Sequence, residues 1–348
     1  MRDAGRLNSL NAKEFWETVM NQLVRFVAIG LTALVSNELF VARNAVAEVP
    51  LAPPGYATEQ EVREAFLSGK LKPIDMTIAV PDTVSVEKGI EYGKGGDVAL
   101  KLDLYSPKDK DPEKLVPGLV FIHGGAWRGG SREMYHYYCV RFAEHGYVAA
   151  TISYRLAGVA PFPAAVEDSK CAVRWLRANA EKYGVDPNRI GVAGGSAGGH
   201  LTMMVGYAPD TPELEGSGGN ADASSRVQAI VNIYGPTDLT TQFARTKSVV
   251  MDFLGGKTYD EAPALYRLAS PITHVTKDDP PTLILHGSID DTVPIDQAEL
   301  LVDKLKETNL KFYYDRLEGW PHAMDIEAGV NRHCLAKMLE FFDQHLGR

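Results

Sequence analysis

The chain has 348 residues, 45% hydrophobic and 23% charged, enough apolar material for a large core in one domain or one domain with a modest cap. Its formal net charge is -9 and no lysine- or arginine-rich run occurs, which excludes a nucleic-acid partner because phosphate binding needs a concentrated basic surface. Three widely spaced cysteines, Cys139, Cys171 and Cys334, form neither a disulfide framework nor a zinc pattern and read as small buried hydrophobes.

Residues 26–35 are apolar without a charge, but a bilayer span needs about 20 such residues. Arg25 precedes the run and Ala45-Val46-Ala47 follows it, the order of basic flank, apolar stretch and small-residue cleavage site in a signal peptide. Residues 1–47 are therefore expected to be a targeting segment. The mature chain would begin near Glu48, secreted or periplasmic and without a membrane span. Asp3, Glu14 and Glu17 in the long leader leave open a cytoplasmic or membrane-peripheral protein with an amphipathic helix.

Residues 48–84 read as a proline-rich linker at 49–54 and a short helix at 59–67. From residue 85 to 348 strands alternate with helices. Residues 90–92 and 100–105 flank a glycine-rich turn and predict an antiparallel hairpin. Apolar runs at 119–122, 147–154, 190–193, 227–234, 282–286 and 311–317 predict strands. Helical spacing is found at 132–144, 164–183, 295–307 and 330–345, and after Gly199. The strand at 190–193 follows the turn residues Asp186-Pro187-Asn188, and residues 209–225 read as a surface excursion with no core residue. About 240–270, aromatic residues mix with polar ones without a strand pattern, which suits a small helical cap insertion. The sum is an α/β fold, a mostly parallel central sheet with helices on both faces.

Between the strand at 190–193 and the helix after it lies Gly194-Gly195-Ser196-Ala197-Gly198. A serine there must sit on a sharp turn, and the flanking glycines remove the side chains that would collide, the G-x-S-x-G nucleophile elbow. A serine hydroxyl is a weak nucleophile at neutral pH, so it needs a base, and the base needs a group to hold its tautomer. Asp290 directly follows the strand at 282–286, where open α/β sheets build their sites. Asp291 beside it is the helix-capping or fallback residue. His322 follows the next strand on a loop, whereas His333 and His345 fall in the closing helix. The backbone N–H groups of Gly124, Gly125 and Ala197 are the expected oxyanion-hole donors. No compact cluster of His, Asp and Glu has ligand spacing, so neither a metal nor a cofactor is expected.

These residues, with His123-Gly124-Gly125-Ala126-Trp127, Tyr154-Arg155-Leu156, Phe162-Pro163-Ala164-Ala165 and His286-Gly287, resemble the α/β-hydrolase esterases of the hormone-sensitive-lipase-like and bacterial feruloyl/acetyl-xylan-esterase (BD-FAE) group, over about residues 85 to 345. The resemblance implies the α/β-hydrolase fold and the serine, acid, histidine order of Ser196, Asp290 and His322. It implies a serine carboxylesterase acting through an acyl-enzyme on short-acyl or aryl esters, among them acetyl or feruloyl esters of polysaccharides. Trp127 is expected to bind substrate. The family's oxyanion turn often has a third glycine where this chain has Ala126. Its lipase-like members often carry Ala-Pro-Glu where this chain has Ala157-Gly158-Val159, which favours the feruloyl/acetyl-xylan branch. Arg155 and Asp168 are expected to hold the scaffold. A prolyl-oligopeptidase-like peptidase shares the triad order, and a non-catalytic binding protein shares the fold. The first usually needs a further large domain, and the second is disfavoured by an intact Ser196, Asp290 and His322.

Overall fold

A run such as Gly118-Leu119-Val120-Phe121-Ile122, with no polar break, is stable as a strand only if both its faces are covered. The structure, a computed structural model describing residues 49–111, 113–209 and 211–347, places it in the middle of an eight-stranded sheet. The strands are β1 Val84–Gly95, β2 Val98–Pro107, β3 Val116–Ile122, β4 Val148–Ile152, β5 Val185–Gly195, β6 Ala229–Ile233, β7 Thr282–Gly287 and β8 Phe312–Leu317. Their order is β1-β2-β4-β3-β5-β6-β7-β8, with β1 and β2 antiparallel and all pairs from β4 to β8 parallel. The expected targeting segment, residues 1–47, lies outside the described residues. Among the described residues no helix is long and apolar enough to cross a membrane.

Alternate residues of each strand face opposite sides of the sheet, so every central strand feeds two cores. Val120, Ile122, Ile190, Val192, Ile230 and Ile284 pack on one face with α3 (Ala164–Ala178), α5 (Ala197–Tyr207) and α9 (Asp296–Glu307). Leu119, Phe121, Ala193, Val231, Leu283 and Leu285 pack on the other with α1 (Glu59–Leu67), α2 (His136–Glu144) and α10 (Ala328–Leu346). The one-turn helix α4 (Ala180–Tyr183) leads into β5. Three short helices, α6 (Gln242–Arg245), α7 (Ser248–Phe253) and α8 (Pro263–Leu268), fill the stretch between β6 and β7. All three cysteines are free and buried.

Four features follow from tertiary packing and not from local pattern. Asp186-Pro187-Asn188 lies inside β5 as an irregularity, since Val116 pairs with Val185 while Gly118 pairs with Ile190; the Asp186 side chain still closes its turn on the Asn188 N–H. The excursion at 209–225 does carry a core residue, Leu214, which is fully buried. It is also pinned by Glu215, whose carboxylate meets Lys170 at 2.6 Å and Arg174 at 2.8 Å. Asp103 is buried on an inner strand and is compensated by Arg132 at 2.8 Å and the Gly89 N–H at 2.7 Å. The proline-rich stretch at 49–54 does not run free: Pro53 accepts from the Trp320 indole and Pro50 from His333. Arg155 and Asp168 form a bidentate pair, 2.7 to 3.0 Å, that ties the segment after β4 to α3.

Candidate active site

Every candidate residue follows the C-terminal end of a parallel strand, so the topology alone gathers them at one edge of the sheet. Gly195 ends β5 and Ser196 turns the chain into α5 with φ 57 and ψ -123, a conformation rare for a residue with a side chain. The turn is closed by Ser196 N–H to the Ile233 carbonyl at 2.9 Å and His200 N–H to the Ser196 carbonyl at 3.0 Å. Its glycines are required by space. A Cβ on Gly198 would stand 2.0 Å from the Ile122 carbonyl oxygen, and one on Gly194 2.5 Å from the Gly198 carbonyl oxygen. Because those neighbours are backbone, Gly198→Ala is expected to cost about 3 kcal/mol or more. Soluble yield and the thermal midpoint would report it, and a variant melting like the wild type would remove the steric argument.

Ser196 Oγ lies 3.0 Å from His322 Nε2, and His322 Nδ1 lies 2.6 Å from Asp290 Oδ2. The structure thus brings together Ser196 after β5, Asp290 after β7 and His322 after β8. The other oxygen of Asp290 accepts the N–H groups of Thr292 at 2.9 Å and Val293 at 2.8 Å. The same carboxylate therefore closes its turn and meets the histidine. No side chain caps α9, whose N-cap residue is Ile295, so the capping expected of Asp291 is not found; Asp290 closes only the turn before the helix. Asp291 is exposed and contributes its backbone N–H to Glu59 Oε1, 3.1 Å away.

Burial by itself would raise the Asp290 carboxyl, but the facing His322 and the hydrogen bonds from His286 and His322 outweigh it and hold the group at about 2. A carboxyl whose folded value lies below its unfolded one stabilises the fold above the unfolded value and loses that contribution as pH falls through the folded one. Stability is thus expected to drop between about pH 4 and pH 2 in part through Asp290. Thermal midpoints across that window for the wild type and Asp290→Asn would show it, the variant having the shallower slope; identical slopes would contradict it.

The expected oxyanion donors sit on two turns that touch. A Cβ on Gly124 would be 3.3 Å from the Ser196 Cβ, so the absence of a side chain lets this turn approach the elbow. Gly125 has φ 107, followed by Ala126 and Trp127 at φ 55, so alanine occupies the third position in the left-handed region that a glycine would fill without strain. His123 is fully buried, stacks on Tyr154 at 4.3 Å and donates from Nδ1 to the Gly124 carbonyl at 2.7 Å. Burial lowers this histidine to about 4, so it is neutral at pH 7. Since C=O and N–H of a trans peptide point opposite ways, that bond turns the Gly125 N–H away from His123. Ala197, the first residue of α5, has an N–H with no intrahelical acceptor, at the positive end of the helix dipole.

Trp127 is placed differently from the expectation. Its side chain is only 3% exposed, stacked on Phe253 of α7 at 4.4 Å and edge-on to His200 at 5.0 Å. It props the Gly124–Gly125 turn against the short helices between β6 and β7 instead of offering an open binding surface. Arg128 extends the same junction through its ion pair with Asp252 at 2.8 Å.

Two further residues belong to the site and were not singled out as functional from sequence. His286, at the end of β7, directs Nε2 to the Val293 carbonyl at 2.8 Å and to Asp290 Oδ2 at 3.3 Å. Tyr234, just after β6, lays its ring 4.6 Å from the His322 ring. The signal available for both was position, at the C-terminal end of a strand.

The BD-FAE family model matches residues 102–305, more than half the chain. The protein belongs to the BD-FAE family. The chain is 35% identical over 305 residues to esterase LipC of Mycobacterium tuberculosis, covering 81% of this chain and 75% of LipC. Among solved structures it is similar to a truncated carbohydrate esterase from gut microbiota, with TM-score 0.68, 27% identity, and coverage of 79% of this chain and 99% of that one. It is also similar to Thermogutta terrifontis esterase 2 with propionate bound, with TM-score 0.65, 28% identity and coverage of 76% and 95%; that esterase has also been solved phosphorylated by paraoxon. This BD-FAE protein is an α/β-hydrolase and a carboxylic ester hydrolase. The family match ends before His322, so the placement of the histidine loop rests on the geometry of this chain. Among the described residues no group of three or more His, Cys, Asp or Glu is placed to hold a metal ion.

Proposed function

We propose that this BD-FAE protein hydrolyses short-acyl and aryl esters through an acyl-enzyme, with Ser196 as nucleophile, His322 as the proton shuttle and Asp290 as the group that orients it. The observation that carries the reading is the continuous hydrogen-bonded relay from Ser196 Oγ through His322 to Asp290. In the first step Ser196 Oγ attacks the ester carbonyl carbon while its proton passes to His322 Nε2. The oxyanion that forms is met by the N–H groups of Gly124, Gly125 and Ala197. The C–O bond to the alcohol breaks as His322 returns the proton to the leaving oxygen. Water, deprotonated by the same nitrogen, then releases the acid and restores Ser196.

Propionate in the related Thermogutta enzyme supports a short acyl group, and the likeness to a gut carbohydrate esterase supports an ester carried on a carbohydrate. A panel of p-nitrophenyl esters of rising acyl length, methyl ferulate and acetylated xylan is expected to show the highest kcat/KM for acetyl to butyryl esters. Paraoxon or a fluorophosphonate is expected to inactivate the enzyme by modifying Ser196, and a chelator to leave turnover unchanged. Modification at another residue would move the nucleophile, and loss of turnover with chelator restored by zinc would replace the mechanism.

A further inference from the structure

Behind the His322 loop lies a buried carboxylate outside the Ser196–His322–Asp290 relay. Asp325, three residues after His322, is 5% exposed. One of its oxygens accepts the Tyr234 hydroxyl and the other the Tyr138 hydroxyl at 2.7 Å. Asn331 closes the network, its amide donating to the Asp325 carbonyl at 2.8 Å and to the Tyr138 oxygen at 3.1 Å. Such a group is retained in a core only if its hydrogen bonds are satisfied, and here two phenols do so.

Tyr234 is itself in an unfavourable backbone state, with φ 43 for a bulky residue. Its N–H is tied to the Leu285 carbonyl at 2.8 Å, its hydroxyl to Asp325, and its ring, tilted 55°, lies 4.6 Å from the ring of His322. The face of an aromatic ring within about 6 Å attracts a cation. A phenol that donates to a carboxylate is held firmly and made richer in electrons by a charge-assisted bond.

We infer that Tyr234, anchored by Asp325, is a positioning residue for the base that stabilises the imidazolium His322 becomes when it takes the serine proton. The inference rests on the reading of His322 as the base. It accounts for a strained tyrosine and a buried carboxylate at one place, which packing alone would not require. The other charged or titratable groups around His322 are Asp290 on the acid turn, His286 behind it at the end of β7, and Glu59 of α1, whose carboxyl interacts with His322. Asp290 meets the ring at its Nδ1 edge, and Tyr234 adds an aromatic ring 4.6 Å from it.

The test is the pH dependence of kcat/KM, whose acid limb reports the base of the free enzyme. Tyr234→Leu removes both the ring face and its anchor. It is expected to lower kcat about three-fold with little change in KM, and to move the acid limb down by about half a pH unit, since a less stabilised cation gives up its proton sooner. Tyr234→Phe, which keeps the face but releases it from Asp325, should recover part of both effects, and Asp325→Asn should move the limb in the same direction as Tyr234→Leu. Tyr138→Phe removes the other phenol from Asp325 without touching His322, and is expected to lower the thermal midpoint while the limb stays in place. An unmoved limb in folded Tyr234→Leu, or an equal shift in Tyr138→Phe, overturns the inference. If Tyr234→Leu does not fold, Tyr234→Phe and Asp325→Asn decide it, and a limb unmoved in both overturns it. His322→Ala separates the two layers: a variant still turning over ester would defeat the reading of His322 as base. An inactive one beside unmoved limbs would defeat only the role of Tyr234.

Discussion

Ser196→Ala is expected to lower ester turnover by about 10⁴-fold or more while leaving the fold intact. The hydroxyl is the one group placed 3.0 Å from His322 Nε2, and nothing else on the elbow can form the covalent bond. What survives would come from substrate binding and the backbone donors alone. The fold should persist because the contacts that close the elbow are made by the backbone, Ser196 N–H to Ile233 and His200 N–H to the Ser196 carbonyl. Alanine carries the same Cβ through φ 57 at no added steric cost. Turnover of p-nitrophenyl acetate beside a circular-dichroism melt checks both halves. A folded variant keeping a tenth of wild-type kcat would place the nucleophile elsewhere.

The second large effect separates neighbours in sequence. Asp290→Asn is expected to lower kcat by about 10⁴-fold, because an amide NH2 facing His322 Nδ1 forces the ring's proton onto Nε2, where it can no longer accept one from Ser196. The retained amide oxygen can still accept the Thr292 and Val293 N–H groups, so the turn should hold. Asp291→Asn should stay within about two-fold of the wild type, since an exposed side chain is changed and the backbone bond to Glu59 is unaffected. Parallel kinetics of the two variants on one ester decide the matter. If Asp291→Asn were the crippled enzyme, the orienting carboxylate would have to be reassigned.

Much of the architecture was legible because its cause is local. Continuous apolar runs such as 119–122 and 282–286 have no stable state except a strand covered on both faces, and the strand ends carry the residues now found together, Ser196, Asp290 and His322. Gly194 and Gly198 were readable for the same reason, since a turn that sharp admits no Cβ. The substrate contact expected of Trp127 is not found, because only the position of α7 shows it buried against Phe253. Leu214 and Glu215 in a polar, glycine-rich stretch carried no periodic signal, because a single buried side chain has no period.

The sequence by itself determined the strand and helix order, the elbow and the chain order of serine, acid and histidine, all consequences of patterns within about ten residues of one another. Only the tertiary structure decided which of two adjacent aspartates meets the histidine, that His286 adds a hydrogen bond to that aspartate, and that Tyr234 and Asp325 stand behind His322. It also decided that Pro53 and Tyr56, before the first strand, clasp the histidine loop at Gly319 and Trp320. The reason is physical: a carboxylate's direction on a turn, or a contact between residues more than two hundred positions apart, depends on how separate elements pack, and no local pattern carries that.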